Sequence, residues 1–388
     1  MTSTAVAKAG QVRLADHTTL HLGGAAARFV LAATEDDLVE AVRAADSEPE
    51  PVLVLGGGSN LVVADGGFPG VVVLADCAGL RFAAEFDAVE VTAAAGQDWD
   101  ELVQQCVAQG LSGIECLSGI PGRAGATPIQ NVGAYGQEVA QTITAVRAYD
   151  RLTDRVVQLS PAECEFGYRT SMFKRQASAS AGAGRGTRGA ALNPATATGR
   201  FVILDVTFRL RPSPLSGPVR YGQLSQVLGV AEGGQVPLAD ARSAVLELRR
   251  GKGMVLDESD PDTRSAGSFF TNPIVSARHY DDVVARAAAV LDAAAGGAVA
   301  VPHWPEADGQ VKLSAAWLIE RAGFGRGFRL ADEPHGARIS TKHTLALTNP
   351  GDASTASLLR LARRIRDGVR SAFGVELANE PTLVGVEL

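Results

Sequence analysis

Leu38, Val39 and Val42 recur at helical spacing across residues 35–45. They follow a first turn of Glu35, Asp36 and Asp37, acids that the positive end of a helix dipole favours, so the pattern predicts a helix. Before it, residues 17–28 read as an extended entry segment with a turn at Gly23-Gly24. After it, Pro51-Val-Leu-Val-Leu reads as a buried strand running into Gly56-Gly57-Gly58-Ser59-Asn60, and Leu61-Val62-Val63 resumes as strand. Residues 71–74 and 89–92 continue as strands. Trp99, Leu102, Val103, Cys106 and Val107 then mark an amphipathic helix closed by Gly110. Residues 143–149 and 156–159 flank a turn as a β-hairpin, and Ser160-x-x-Glu163 is a capping box opening a short helix. Residues 201–210 form a strong strand, and Pro237 starts a helix carrying Leu238, Ala241, Val245 and Leu248 on one face. An acidic linker follows at 257–262, and the last part of the chain holds helices near 281–291, 313–322 and 354–373.

Two stretches break the pattern. Residues 118–138 hold five glycines, side-chain hydrogen-bonding groups at Ser118, Thr127, Gln130, Asn131 and Tyr135, and charge only at Arg123 and Glu138. Glycine costs backbone entropy on folding, and long loops without structure are uncommon unless functional. A ligand lying on bare backbone amides accounts for such a loop, with a plain surface loop as the alternative. Residues 176–199 are rich in Ala, Ser, Gly, Arg and Thr and nearly free of large apolar groups, the composition of a disordered surface insertion. Loop closure costs only about 0.6 kcal/mol per doubling of length, so an insertion of this kind is tolerated between two strands.

The chain has 388 residues, longer than a single core usually grows, so two or three domains are expected. Its formal net charge of −7, without a basic stripe, argues against a nucleic-acid partner. No apolar run reaches membrane-spanning length, since the Ala/Gly-rich tract around Val290 is broken by Asp292, and the first residues lack an apolar signal core. A cytoplasmic protein is expected. The four cysteines, Cys77, Cys106, Cys116 and Cys164, form no CxxC pair and read as reduced structural thiols. The six histidines show no metal-ligand spacing.

The triple glycine at 56–58, next to Ser59 and Asn60, exposes a row of amides suited to phosphate, or makes a hairpin turn. It is not the dinucleotide fingerprint, because Leu61 stands where the third glycine belongs and a strand follows instead of a helix. Gly251-Lys252-Gly253 is not a P-loop, and there is no Gly-x-Ser-x-Gly. Ser268, between Gly267 and Phe269-Phe270, either donates a proton in a dry pocket or caps a turn.

Taken in order, Gly-Gly-Gly-Ser-Asn at 56–60, the loop from Ile120 through Gln130-Asn-Val-Gly-Ala-Tyr-Gly136, Phe-Gly-Tyr-Arg at 166–169, Gly-Ser-Phe-Phe-x-Asn-Pro at 267–273 and Val-Lys-Leu-Ser-Ala-Ala-Trp-Leu-Ile at 311–319 form one series. The chain resembles the UDP-N-acetylenolpyruvoylglucosamine reductase (MurB) family, flavoenzymes of peptidoglycan precursor synthesis. The likeness runs from about Leu20 to Gly385, apart from the insertion. It implies an α+β fold with a vanillyl-alcohol-oxidase-like FAD-binding domain of two subdomains, at 1–75 with the tail 384–388 and at 76–253. A smaller α+β substrate-binding domain at 254–383 completes it.

The family's reaction is a hydride relay. NADPH reduces a noncovalent FAD and leaves; the enolpyruvyl sugar nucleotide then takes hydride at its vinyl carbon and a proton at the adjacent carbon. By this resemblance Gly56, Gly57, Gly58, Ser59, Asn60, Leu61, Ile120, Pro121, Gly125, Ala126, Thr127, Ile129, Gly133, Ala134 and Tyr135 contact the FAD. Ser268 is the proton donor, Arg169 clamps the substrate carboxylate, and Glu380 polarises the intermediate, with Glu376 its rival if the register slips. The segment 219–224 resembles the tyrosine substrate loop of one subtype, so Tyr221, with Tyr168, Lys252 and Asn272, contacts the substrate. The small-molecule nucleotide sugar is the implied partner, and a monomer without nucleic acid or membrane is the implied state. Two other functions keep the same fold: an FAD-dependent oxidase, and a nucleotide-sugar-binding regulator without turnover. The first is weakened because neither glycine-rich loop holds a histidine for covalent flavin attachment.

Overall fold

The computed structural model describes residues 6–7, 12–48, 50–180, 197–295 and 300–388, which gather into two compact units. The first holds residues 24–58 and 66–255 with the N-terminal residues to 17; the second holds 18–23, 59–65 and 256–388. The C-terminal residues 384–388 thus fall in the second unit.

The first unit opens with β1 (Ala26–Ala32), α1 (Glu35–Ser47) and β2 (Val52–Leu55). The Thr34 hydroxyl accepts from the Asp37 amide while the Asp37 carboxylate accepts from the Thr34 amide, so the first turn of α1 is capped from both sides. Leu38, Val39, Val42 and Ala45 are buried, the stripe that the periodicity predicts. The next strand in sequence, β3 (Leu61–Val63), belongs to the second unit. Residues 56–60 therefore do not close a hairpin. β4 (Phe68–Ala75) lies between β1 and β2, parallel to both, as strands joined through a helix do.

A second sheet is built from β5 (Leu80–Ala84), β6 (Val89–Ala94), β7 (Ile143–Asp150), β8 (Arg155–Leu159) and β9 (Phe201–Pro212). Its order is β8-β7-β9-β6-β5, all antiparallel. The β7–β8 hairpin and the Ser160 capping box stand where the sequence puts them, the latter opening α3 (Pro161–Cys164). Between β6 and β7, α2 (Trp99–Ala108) leads into the glycine-rich loop. Trp99, Leu102, Val103 and Cys106 are buried against the sheet, in a core separate from the one that α1 covers.

The expected disorder of 176–199 needs correction at both ends. A helix, α4 (Met172–Ser180), runs into it, since Gln, Ala and Ser at 176–180 are compatible with a helix already started. At its far end the Thr198 hydroxyl accepts from the Val54 amide at 2.6 Å, and the Ala197 amide donates to the Val52 carbonyl at 3.1 Å. These bonds cover the open edge of β2. The Arg151 side chain fixes the same corner, donating to the Thr198 and Gly199 carbonyls and to Asp46. Residues 181–196 lie outside the described residues. The unit ends with α5 (Gly222–Leu228) and α6 (Leu238–Gly251).

In the second unit, β10 (Ser265–Ser268), β14 (Arg338–Ile339) and β15 (Ala346–Thr348) form one sheet. β11 (Ile274–Ser276), β12 (His303–Pro305) and β13 (Gln310–Leu313) form another. Around them stand α7 (Ala277–Ala295), α8 (Ala315–Arg321) and α9 (Thr355–Phe373), whose Leu358, Leu361, Ile365, Val369 and Phe373 enter the core. The last strand, β16 (Thr382–Val384), pairs parallel with β3. Leu20, Leu22 and Val62, distant in sequence, join this core. Asp262, in the expected acidic linker, is buried and accepts from Arg338 and Thr341, so the linker is anchored on this unit. Among the described residues no helix is long and apolar enough to cross a membrane.

Candidate functional site

The two glycine-rich bends meet in the first unit. A Cβ added at Gly57 would lie 2.7 Å from the Gly122 Cα, and one at Gly56 would lie 3.5 Å from the Arg123 side chain. Backbone packs on backbone here, and no residue larger than glycine fits at 57. Gly56, Gly57 and Gly122 remain half-buried, as do Ile120 and Pro121, so the glycine main chain at these bends is partly accessible. Gly125 has a different reason: its Cβ would strike Ala95 at 2.6 Å, and its amide donates to the Ala95 carbonyl at 3.0 Å. Close approach of chain to chain therefore explains part of the glycine content that the sequence suggests is for a ligand. Ser118 and Thr127 use their hydroxyls within the loop, on the carbonyls of Glu115 and Ala124. Ala126 and Ile129 are exposed. Ser59, Asn60 and Leu61 fall in the second unit, where the Asn60 carbonyl accepts from the Thr382 amide at 2.9 Å.

Asp100 on α2 holds the start of the loop. It accepts from the Gly119 amide at 2.6 Å and pairs with Arg242 at 2.6 Å and 2.9 Å. Burial works to raise the Asp100 carboxyl, but the bonds from Arg242 and Gly119 outweigh it and hold the group below its ordinary value. At the far end, Ala134 and Gln137 pair across Tyr135-Gly136, whose φ values are 50° and 86°. Two positive values make a primed hairpin turn, a place usually filled by Asn or Gly. Tyr135 is thus held in a conformation that a tyrosine does not choose by itself.

The turn bearing Arg169 is joined to this loop. Gly167 and Thr170 exchange backbone bonds around Tyr168-Arg169, and Arg169 has φ 52°. The Arg169 guanidinium donates to the Gly133 carbonyl at 2.5 Å and lies 5.6 Å from the Tyr168 ring centre. Gly133 must lack a side chain for this, because a Cβ there would meet Glu138 at 2.8 Å and the Arg169 Nη1 at 3.0 Å. The Ser171 hydroxyl adds a bond to the Ile129 carbonyl at 2.5 Å.

Tyr221 packs edge-on against Tyr135, ring centres 5.2 Å apart. The Lys252 ammonium lies 5.4 Å and 5.9 Å from the two rings and donates to Gln223 at 2.8 Å. Arg249 lies in the same corner, nine-tenths buried, and its Nε has no partner among the described residues. Burial pushes Arg249 down to about 10, against the pull of Tyr135 and Asp100. Burial, and then Arg249, lower Lys252, while burial raises the Tyr135 phenol to about 12. The result is a positively charged corner walled by two aromatic rings, suited to an anion.

In the second unit Gly267, at φ 71°, marks a break in register between β10 and β15. Such a bulge turns the next side chain aside. That residue is Ser268, half-buried beside the fully buried Phe269 and Phe270. Its hydroxyl caps no turn among the described residues. The Glu380 amide donates to the Phe269 carbonyl at 2.8 Å, and Asn379 bridges Phe270, so the backbone at Glu380 pairs with the residue after Ser268. Glu376 is exposed and pairs with Arg366 and Arg370 on α9. Asn272 uses its carbonyl oxygen on the Ala315 amide at the start of α8, 3.0 Å away.

Three residues at these sites are not among those assigned from the sequence. Arg249 carries one signal, a base three positions before Lys252 at the C-terminal end of α6. Glu115, fully buried, accepts from the amides of Gly113 and Gly217 and from Gln137; an acid beside glycines at the mouth of the loop was its only mark. Asn131 is visible in the loop as a polar group without an assignment.

Residues 260–384 match the family described as UDP-N-acetylenolpyruvoylglucosamine reductase, C-terminal domain, and residues 26–160 match an FAD binding domain family. The chain is 55% identical over 381 residues to the UDP-N-acetylenolpyruvoylglucosamine reductase of Thermobifida fusca (strain YX), covering 98% of this chain and 99% of that one. It is 49% identical over 376 residues to the protein of that name from Streptomyces coelicolor, covering 97% and 90%. Among solved structures it shares the fold of the reductase from Thermus caldophilus, at 24% identity and a TM-score of 0.59, covering 98% and 99% of the two chains.

Proposed function

The chain belongs to the UDP-N-acetylenolpyruvoylglucosamine reductase family, and from that membership we infer that it reduces the enolpyruvyl group of UDP-N-acetylglucosamine enolpyruvate to give UDP-N-acetylmuramate. It is an FAD-containing, NADPH-dependent oxidoreductase of peptidoglycan precursor synthesis. The observation that carries the reading is the close backbone packing of Gly57 on Gly122, which brings the two glycine-rich bends together with their main chain partly exposed. A diphosphate accepts many hydrogen bonds, and amides unobstructed by side chains can supply them. Residues 56–58 and 120–122 would hold it, with Ser59, Asn60, Leu61, Gly125, Ala126, Thr127, Ile129, Gly133, Ala134 and Tyr135 completing the assignment. The FAD-binding part divides near residue 75, and the substrate-binding part takes in 254–383.

When bound, FAD supplies a hydride acceptor toward NADPH and a hydride donor toward the substrate vinyl carbon. The chain's own work is to orient the substrate, balance its charge and deliver a proton. Arg169 holds the substrate carboxylate, where its fixed planar fork accommodates charge spreading into that group. Ser268 gives its proton to the carbon next to the carboxylate; a serine can do so because the group it meets is strongly basic. Glu380 acts from beside Ser268, a role supported by its bond to Phe269 and by the engagement of Glu376 with α9. Lys252, Tyr221 and Tyr168 bind the nucleotide sugar, supported by the charged corner around Lys252. Asn272 joins them through its amide nitrogen, its oxygen being engaged by the Ala315 amide. The enzyme acts as a cytoplasmic monomer without nucleic-acid or membrane partners; the net charge of −7 supports the first of these two absences.

The test is the visible spectrum of the purified protein. A yellow sample that releases flavin on mild denaturation, is bleached by NADPH and recovers its colour anaerobically on adding the enolpyruvyl sugar nucleotide is expected. Recovery only with oxygen would point instead to an oxidase of the same fold.

A further inference from the structure

We propose that Asn131 is a positioning residue, which fixes the guanidinium of Arg169 by bolting the turn that carries it to the glycine-rich loop. The inference rests on the reading of Arg169 as the carboxylate clamp.

Arg169 sits at positive φ in a connection of only two residues, so its own segment does little to determine where its side chain goes. The restraint comes from the loop. Asn131 is 1% exposed and uses its side chain in three directions. Its Nδ2 donates to Glu138 Oε2 at 2.9 Å and to the Gly167 carbonyl at 3.1 Å, while its Oδ1 accepts from the Ala140 amide at 3.1 Å. These bonds tie together the two ends of the 131–140 hairpin and the turn at 167–170. The Asn131 carbonyl also faces Arg169 Nη1 at 3.5 Å, two residues from the Gly133 carbonyl that receives Nη2. Asn131 has φ 48°, a conformation that asparagine adopts more readily than most residues. One residue therefore sets both the carbonyls that hold the guanidinium and the backbone from which the arginine springs.

The chemistry requires an amide. An aspartate has the same shape, but in place of two N–H donors it would turn a charged oxygen toward the Glu138 carboxylate and the Gly167 carbonyl. That repulsion would push the 167–170 turn away from the loop. A displacement of about 1 Å at a group that orients substrate can cost about 10²-fold in rate.

The experiment uses the full-length, flavin-loaded enzyme and follows its two half-reactions separately. For Asn131→Asp we expect unchanged flavin content and NADPH half-reaction, and a saturating rate with the sugar nucleotide about 30-fold or more slower. Glu138→Gln alone should change little, because its amide can turn its oxygen toward Asn131. The double variant Asn131→Asp/Glu138→Gln restores a donor and acceptor across that contact, and should recover about fivefold or more of the loss. Asn131→Ser replaces Asn131→Asp if the latter does not fold. Wild-type kinetics in the Asn131 variants, equal slowing of both half-reactions, loss of flavin, or failure of both variants to fold would overturn the proposal and leave Asn131 a structural residue. Arg169→Lys is the separate control: if it spares the sugar-nucleotide half-reaction, the reading of Arg169 itself fails. An impaired Arg169→Lys beside normal Asn131 variants removes only the inference.

Discussion

A serine hydroxyl gives up its proton reluctantly, so in its proposed role Ser268 contributes only where the acceptor is strongly basic. Ser268→Ala should leave flavin reduction by NADPH untouched and slow the sugar-nucleotide half-reaction by about 10²–10⁴-fold. Equal slowing of both halves in rapid-mixing experiments would remove it from that role. Lys252 offers a second test, through pH. Burial and Arg249 lower its proton affinity, so its charge is lost below the ordinary lysine value of 10.5. Losing a cation weakens an anionic ligand, so KM for the nucleotide sugar should rise as pH climbs toward that value. Lys252→Arg should flatten the rise, because a guanidinium stays charged. These residues were legible in the chain because each stands inside a short motif. Asn131 stands inside a motif too, and Arg249 near Lys252, but neither position states a role, since what defines them is the company that folding brings.

At the scale of the element, the glycine-rich loop depends on α2 at one end and on its own hairpin at the other. Asp100→Asn keeps the shape but removes the charge that Arg242 and the Gly119 amide share, and should cost about 2 kcal/mol in urea unfolding. The sign with pH follows: the Asp100 carboxyl is held below its ordinary value of 3.8, so its stabilisation is present above that pH and fades as pH falls through the folded value. The variant should show less of this acid loss. Gly57→Ala sets a methyl 2.7 Å from the Gly122 Cα, and neither partner is a side chain that can rotate away. Flavin retention should fall about tenfold or more, a difference of roughly 1.4 kcal/mol. Gly66→Ala, which meets nothing within 4 Å, should be neutral in the same equilibrium dialysis. Several long helices and strands were read from periodicity nearly to their ends, α1, α2, α6 and α9 among them, while α4, α5 and the short strands of the second unit after Leu61–Val63 were not. The pairing partners were not, and the segment 56–60, flanked by two strands, leads from one unit into the other.

For the molecule as a whole, binding of FAD to the folded chain should raise its stability by mass action. At free FAD about 100-fold above Kd the gain is about 2.7 kcal/mol, visible as a concentration-dependent rise in Tm of the flavin-free protein. A Tm indifferent to FAD would contradict the assignment. The two units are each stitched from segments far apart in sequence: Leu20, Leu22 and Val62 pack in the core built mainly by residues beyond 256. No local pattern announces such an exchange, because an apolar residue in a strand looks the same whichever core receives it.

The sequence by itself determined most of the helices, the main strands of the first unit, the Ser160 capping box and the five ordered motifs that carry the family resemblance, because periodicity, caps and turn residues act over a few neighbouring positions; the short strands of the second unit after Leu61–Val63 carried no such signal. Tertiary structure alone decided why particular glycines are needed, with Gly57 facing Gly122 and Gly125 facing Ala95. It also decided that Glu380 pairs with Phe269, next to Ser268 in the chain, that the ends of the Ala-rich insertion are ordered, and that Asn131 bolts two segments together. Each of these is a contact between residues remote in the chain, and its free energy exists only once the backbone has brought them within a few ångströms.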